Sequence, residues 1–320
     1  LCKSFVGDRD HGLADFDDKT LYQPYATSLR MSDLGYSNKT QASINISLNS
    51  LEEYIRGLSD AIDTPDPAYE AMGVKVDGRY LQLTSNKLQI ENEYYSPVRP
   101  KRVANSGERP TSALSRGGIQ YVEIRSLDLG IVDPLGINSQ TTHFMEAFLI
   151  YCLLSDSPRL DDAEFDEILA NHSNTAKRGR DPEFRLKRSG KEISLTTWAR
   201  EIIGGVLTVA EQLDVAGGTQ HDHRHYQSAV QQQLDAVNEP DATPSARILQ
   251  DLRDEQISFF RYAQRHAVDH KAYFNSGPPL EQDRQQLFET EARDSLRKQA
   301  DIEAADKIDF DSYLAAYYNS

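Results

Sequence analysis

The stretch Ile119-Gln-Tyr-Val-Glu-Ile-Arg-Ser-Leu127 decides the fold reading. It is rich in β-branched and aromatic residues and is entered through Gly117-Gly118, which marks a strand. Side chains alternate along a strand, so Ile119, Tyr121, Glu123, Arg125 and Leu127 share one face, and Val122 and Ile124 lie on the other. Glu123 and Arg125 then stand about 7 Å apart on the same face. Two charges inside an apolar run are unusual, because an unpaired buried charge is costly. A chemically active sheet face and a solvent-facing edge strand with a diagonal ion pair both fit. The pattern alone leaves the two open.

Upstream, residues 79–84 and 87–95 read as a hairpin joined at Ser85-Asn86. In the second of these strands Gln89, Glu91, Glu93 and Tyr95 alternate on one face. Such aligned carboxylates suit either a hard cation such as Mg²⁺ or an exposed polar sheet face. Asn92 falls on the apolar side and needs a partner if buried. Residues 96–118 read as a long loop in which Arg99, Lys101, Arg102, Arg109 and Arg116 face the single acid Glu108, a local charge of +4. A basic loop between two acid-bearing strands suits a polyphosphate, and equally a solvated surface. Further upstream, Ser50 and Glu53 form a capping-box pattern before Leu51, Tyr54, Ile55, Leu58 and Ile62, which predicts an amphipathic helix over 51–62 ended by Pro65 and Pro67.

Downstream the character changes. Residues 141–154 are apolar on nearly every face, as in a buried helix, with Cys152 as a core thiol. After Asp156 strand signals largely vanish. Trp198, Ile202, Val206 and Val209 mark one helix, Ile248 to Phe260 another, and 281–307 is charged and helix-prone. The expected fold class is α+β, with an α+β unit over 1–155 and a mostly helical region over 156–320.

Bulk composition narrows the function classes. With 320 residues the chain can bury a substantial core. A formal charge of −15 argues against a generic nucleic-acid binder, and the apolar run Phe148–Leu154 is too short to span a membrane. Two cysteines form no disulfide framework, so a reducing, cytoplasmic setting is expected. His221, His223 and His225 invite a zinc reading, but residues two apart do not share a helical face and no cysteine is near, so a surface turn is expected. Phosphate-loop, dinucleotide and nucleophile-elbow glycine motifs are missing from the sequence.

The segment Thr27–Lys39 combines Arg30, Asp33, Tyr36 and Lys39 around a glycine, as binding loops often do. Together with this segment, several blocks resemble the proteobacterial type of glutamate–cysteine ligase. They are Leu-Tyr-Gln-Pro-Tyr-Ala-Thr-Ser-Leu-Arg over 21–30, Ser32-Asp-Leu-Gly-Tyr36, Leu88-Gln-Ile-Glu-Asn-Glu93 with Tyr95, and Pro97-Val-Arg-Pro-Lys-Arg102. Arg116-Gly-Gly118, Tyr121-Val-Glu-Ile-Arg-Ser-Leu-Asp128 and Ser245-Ala-Arg-Ile-Leu249 complete the set. The blocks keep the family's order over about 20–155, while 156–240 matches loosely.

The resemblance implies a partial glutamine-synthetase-like antiparallel sheet. It also implies an ATP- and Mg²⁺-dependent ligase that joins L-glutamate to L-cysteine through an acyl phosphate. By motif, Glu123 is implied as a metal ligand and Arg125 as a contact to the transferring phosphoryl group. Tyr36 and Tyr95 are implied as walls of the cysteine pocket, and Arg30 as a substrate or phosphate contact. The physics agrees, since phosphoryl transfer needs metal and guanidinium charge together. Family members are longer at the N-terminus, where further acidic ligands lie, so the chain is expected to be an N-terminally truncated portion without turnover of its own. Two other readings remain: the same chemistry on another amine, and a non-catalytic interaction protein with a degenerate ligase fold.

Overall fold

The computed structural model describes residues 1–35, 44–217 and 224–319. In chain order the elements are α1 (Lys3–Val6), β1 (Ala14–Asp15), β2 (Leu21–Tyr22), α2 (Leu51–Asp63), α3 (Pro67–Met72), β3 (Lys75–Val76), β4 (Arg79–Tyr80), β5 (Val98–Lys101), α4 (Pro110–Gly117) and β6 (Tyr121–Ile124). Then follow α5 (Ser139–Leu154), α6 (Asp162–Arg178), β7 (Arg185–Arg188), β8 (Lys191–Ser194), α7 (Leu195–Ala216), α8 (His225–Asn238), α9 (Pro244–Glu255), α10 (Phe259–Asn275), α11 (Gln282–Ala305) and α12 (Phe310–Tyr318). Helices with small antiparallel strand pairs make the fold α+β.

The chain divides into two units, one of Leu1–Asn38 with Ser126–Lys271 and one of Lys39–Arg125 with Ala272–Ser320. The boundary read at residue 155 falls inside the first, at the end of α5. In that unit α5, α7 and α8 close around Ala147, Ile203, Val206, Ala210 and Val230. Gly205 lets the Tyr151 ring reach α7, since a Cβ there would lie 2.3 Å from a ring carbon. The expectation of burial all round α5 does not hold. Its neighbours cover one side, Leu153 and Leu154 stay exposed, and so does Cys152.

The second unit is built on α2. The Ser50 side chain accepts the Glu53 amide at 3.1 Å, and the Glu53 carboxylate takes the Ser47 hydroxyl at 2.6 Å, so the N-terminal capping signal operates. Tyr54, Leu58, Ala61 and Ile62 then pack with Ile46, Leu88 and Leu114.

The 79–84/87–95 hairpin does not form. The turn occurs earlier, at Asp77-Gly78, whose positive φ angles of 51° and 76° let β3 pair with β4. Residues 85–88 serve the end of α2 instead. The Lys87 amide donates to Thr64 O and the Leu88 amide to Ala61 O, while the Asn86 side chain donates to Ile62 O. These bonds satisfy helix-end carbonyls that a sheet ladder would have left open. Residues 91–93 form a 3-10 turn.

The loop read over 96–118 contains β5 and α4. Antiparallel β5–β6 pairing sets Val98 opposite Ile124, Arg99 opposite Glu123, Pro100 opposite Val122 and Lys101 opposite Tyr121. The Arg125 amide donates to Pro97 O at 2.8 Å, so hydrogen-bonded pairs recur at every second residue. Pro100 falls at a pair whose N–H would point away from β6, and its missing donor leaves this ladder whole.

Two further readings change. The helix expected over 248–260 is two, because Gln256 adopts a left-handed conformation (φ 54°) between α9 and α10. A β7–β8 hairpin forms at Ser189-Gly190 in the stretch read as helical. Among the described residues, no helix is long and apolar enough to cross a membrane.

Candidate active site

Within the second unit, strand register places Arg99 directly opposite Glu123. Arg99 Nε lies 3.4 Å and Lys101 Nζ 4.0 Å from Glu123 Oε2. The ion pair therefore runs across the ladder. Arg125, two residues on, carries its guanidinium over the Tyr95 ring at 5.1 Å. The Lys101 ammonium is held below its ordinary range by burial and then by Arg99, with Arg125 acting in the same direction and Glu123 against it. Tyr94 is half-buried and its hydroxyl is pushed up to about 12, chiefly by desolvation. Three cations and one carboxylate on a small sheet leave a surplus of positive charge. Such a surface suits a polyanion.

The remaining cations of 96–118 turn elsewhere, so the basic-loop reading shrinks to Arg99 and Lys101. Arg102 donates to the carbonyls of Gly117 and Gly118. A Cβ on Gly117 would lie 2.5 Å from the centre of that guanidinium, which gives the first glycine of Arg116-Gly-Gly118 a physical reason. Arg109 pairs with Glu91 at 2.7 Å, and Arg116 with Glu108 at 2.8 Å. A cleft of about 290 Å³ is lined by Pro100, Lys101, Arg102 and the α12 side chains Tyr313 and Tyr317.

The row of carboxylates read over 89–95 is also overturned. Glu91 is buried, 3% exposed, at the start of α4, where it accepts Arg109 Nε and the Thr111 amide, both at 2.7 Å, and the Thr111 hydroxyl. A carboxylate at a helix N-terminus is a structural fixture. Glu93 accepts the Gln89 amide at 2.7 Å. Neither aligns with Glu123 for a cation. Asn92 is anchored through its carbonyl, which accepts from Arg99.

Glu108 supplies a local test of the electrostatics. Hydrogen bonds from Arg116, and then from the Asn105 amide, hold its carboxyl down at about 2. A folded-state value below the unfolded 4.5 means that the pair stabilises fully above about pH 4.5 and is lost as pH falls towards 2. The Glu108 side-chain carboxyl carbon, followed by NMR, is expected to titrate near 2 and to rise towards the ordinary range in Arg116→Gln, with the Asn105 amide still holding it partly down.

Arg30 lies in the first unit. Its segment is fastened to the end of α6: the Thr27 and Ser28 amides donate to Ala176 O, and the Thr27 hydroxyl donates to Thr175 O at 2.9 Å. Buried Arg180 donates to Ala26 O at 3.1 Å and to Pro24 O. Gly35 closes the following turn, and a Cβ there would fall 1.8 Å from Arg30 O. So placed, Arg30 binds Asp128 at 2.6 Å and Leu127 O at 2.8 Å. The blocks 21–30 and 121–128 thus meet through Arg30 and Asp128. Tyr36 lies outside the described residues, as do His221 and His223.

A divalent cation needs converging oxygen ligands from the described residues. Glu123 Oε2 is buried and has no hydrogen-bond partner among them, while the side chain keeps 38% exposure, which leaves Oε1 accessible. Among the described residues no group of three or more His, Cys, Asp or Glu converges. The chain therefore fits a hard cation as the donor of one ligand among the six or so that Mg²⁺ takes. Arg99 is not among the candidates named from the sequence, because the reading of 96–118 makes it a loop cation. The alternation Arg99, Lys101 within a strand was the available signal.

A family model described as glutamate-cysteine ligase matches residues 1–175. The glutamate–cysteine ligase of Alcanivorax borkumensis is 46% identical over 324 residues, covering 100% of this chain and 61% of the relative. That of Pseudomonas putida KT2440 is 42% identical over 320 residues, covering 100% of this chain and 60% of the relative. The crystal structure of the Francisella tularensis glutamate–cysteine ligase with AMP superposes with a TM-score of 0.90 at 32% identity, over 99% of this chain and 62% of that one. The chain spans about 60% of the length of these relatives. On this likeness the chain belongs to the glutamate–cysteine ligase family.

Proposed function

We propose that the chain carries part of the machinery of an ATP-dependent ligase that forms an amide between the γ-carboxylate of L-glutamate and the amino group of L-cysteine, the first step of glutathione synthesis. The observation that carries this reading is the β5–β6 ladder, where Arg99 and Lys101 flank the single carboxylate Glu123 and Arg125 follows two residues on, against Tyr95. A γ-carboxylate oxygen of glutamate attacks the terminal phosphorus of ATP and ADP leaves. The cysteine amine then attacks the acyl carbon, phosphate departs, and the amine gives up its proton. Negative charge gathers on the transferring phosphoryl oxygens, and Arg125 with Lys101 supplies guanidinium and ammonium charge there.

Glu123 would hold Mg²⁺ through Oε1. The bound ion supplies Lewis-acid charge to phosphoryl oxygens. Tyr95, with Arg125 against its ring, would form one wall of the cysteine pocket and Tyr36 another. Arg30, fixed by Asp128, would contact substrate or phosphate. The AMP held by the Francisella relative supports an adenine nucleotide as the donor. A cytoplasmic setting suits this chemistry, and neither nucleic acid nor a membrane is needed as a partner.

The test is binding. A complex of Mn²⁺ with a non-hydrolysable ATP analogue is expected to bind residues 1–320, and Glu123→Gln to weaken it at least about tenfold, one lost charge-assisted ligand. Binding unchanged by Glu123→Gln would remove the metal assignment. Because the described residues bring one carboxylate to the ladder, residues 1–320 alone are expected to yield no γ-glutamylcysteine. A measurable yield overturns that expectation. In an active longer form, comparison of cysteine with 2-aminobutyrate and alanine separates this acceptor from another amine. A non-catalytic ligase-fold protein would bind no nucleotide.

A further inference from the structure

Arg99 does more than balance Glu123. Its side chain is 7% exposed. Nη1 donates to the carbonyl oxygens of Asn92 at 3.2 Å and Tyr94 at 2.7 Å. On the other side Nε lies 3.4 Å from Glu123 Oε2, and neither atom has a hydrogen-bond partner among the described residues. One planar fork therefore spans strand β6 and the turn that leads directly into Tyr95. The Tyr95 ring in turn lies against Arg125.

We propose that Arg99 is a positioning residue that couples the cation ligand Glu123 to the Tyr95 wall of the acceptor pocket. The inference rests on the reading of the site given above. Arg99 and Lys101 draw Oε2 inward, and Oε1 is left as the oxygen presented outward. The same guanidinium fixes the two carbonyls before Tyr95, so a shift of Glu123 on cation binding moves the acceptor wall through one rigid group. Lysine cannot replace it, because a single ammonium has no fork with which to hold two carbonyls and a carboxylate together. The positive charge beside Oε2 also opposes a bare cation. Glu123 would therefore hold a cation together with a polyphosphate whose charge offsets Arg99, Lys101 and Arg125.

The experiment uses residues 1–320 with Mn²⁺ and a non-hydrolysable ATP analogue, read by electron paramagnetic resonance, and cysteine binding read by NMR. Arg99→Lys is expected to fold with a modestly lowered melting transition, weaken the Mn²⁺–nucleotide complex about tenfold, and weaken cysteine binding in its presence. Arg99→Lys added to Glu123→Gln is expected to cost little more than Glu123→Gln alone, because the two act as a unit. Mn²⁺ without nucleotide is expected to bind far more weakly.

Parent-like binding by Arg99→Lys, or full additivity with Glu123→Gln, overturns the inference and leaves the site reading standing. A parent chain that takes up no Mn²⁺–nucleotide overturns both. If Arg99→Lys fails to fold, Arg99→Gln, which keeps a donor for the carbonyls, takes its place. If both fail, Arg99 is structural only and the inference is wrong.

Discussion

Glu91→Ala is expected to lower the unfolding free energy of the second unit by about 3–5 kcal/mol, the usual cost of removing one partner from a buried ion pair. The carboxylate is almost fully enclosed, with 1% of its side chain exposed, against 13% for Arg109. It satisfies the Arg109 guanidinium and both the amide and hydroxyl of Thr111. Alanine leaves a buried cation and the first turn of α4 without acceptors. Arg109 has some access to water and can swing outward, which places the effect near the lower end. Glu91→Gln keeps the shape and one acceptor but removes the charge, so it should fall between alanine and the parent. The only tryptophan, Trp198, lies in the first unit and is blind to this change. Hydrogen exchange across 44–125 in rising urea is the appropriate measurement. A parent-like midpoint there would show that Glu91 is dispensable and that α4 is held by its packing on α2.

Arg180→Met is expected to act on the first unit and to be read by Trp198. Arg180 is 7% exposed, donates to Ala26 O and Pro24 O, and lies 3.8 Å from Asp241. Methionine fills much of the volume but leaves two carbonyls without donors, at about 1–3 kcal/mol for each that stays dry. Water will reach one of them in part, so a total near 2–4 kcal/mol is expected. The Trp198 fluorescence transition in urea should move to lower concentration while exchange over 44–125 stays unchanged. The functional effect should exceed the stability effect, because Arg30 is four residues from Ala26 and depends on the same anchoring. Loss of the Arg30–Asp128 contact in Arg180→Met is visible as a shift of the Arg30 Nε resonance.

What could be read from the sequence followed the range over which each residue acts. Ser50, Glu53 and the apolar residues after them specify α2 through neighbours a few positions away, and that helix was legible. So was the core of the strand at 121–124, from its alternation. Glu91 was misread because local alternation around it mimics a strand, whereas its partners Arg109 and Thr111 lie 18 and 20 residues on. β5 was hidden by Pro97 and Pro100, which read as breakers, although Pro100 occupies a ladder position that needs no donor and Pro97 precedes the strand, serving it as the acceptor of the Arg125 amide. Glu123 and Arg125 are candidates named by motif, and it is strand register that sets Arg99 opposite Glu123, a placement the alternation of Arg99 and Lys101 hinted at. The hairpin at Asp77-Gly78 had a clear turn signal that an apparently stronger strand pattern downstream overrode.

Pro100 has a consequence beyond being tolerated. Among the described residues the β5–β6 ribbon has two unpaired edges of unequal quality. Along β5 the outward row of donors is interrupted at Pro100, whereas along β6 the amides of Val122 and Ile124 point outward in unbroken alternation. Growth of this ribbon is therefore one-way. A third strand, from this polypeptide or another, finds a complete template only beside β6, next to Glu123. The same edge is where uncontrolled self-pairing would begin, and a lysine at Val122 would blunt it without touching the Arg99–Glu123 face.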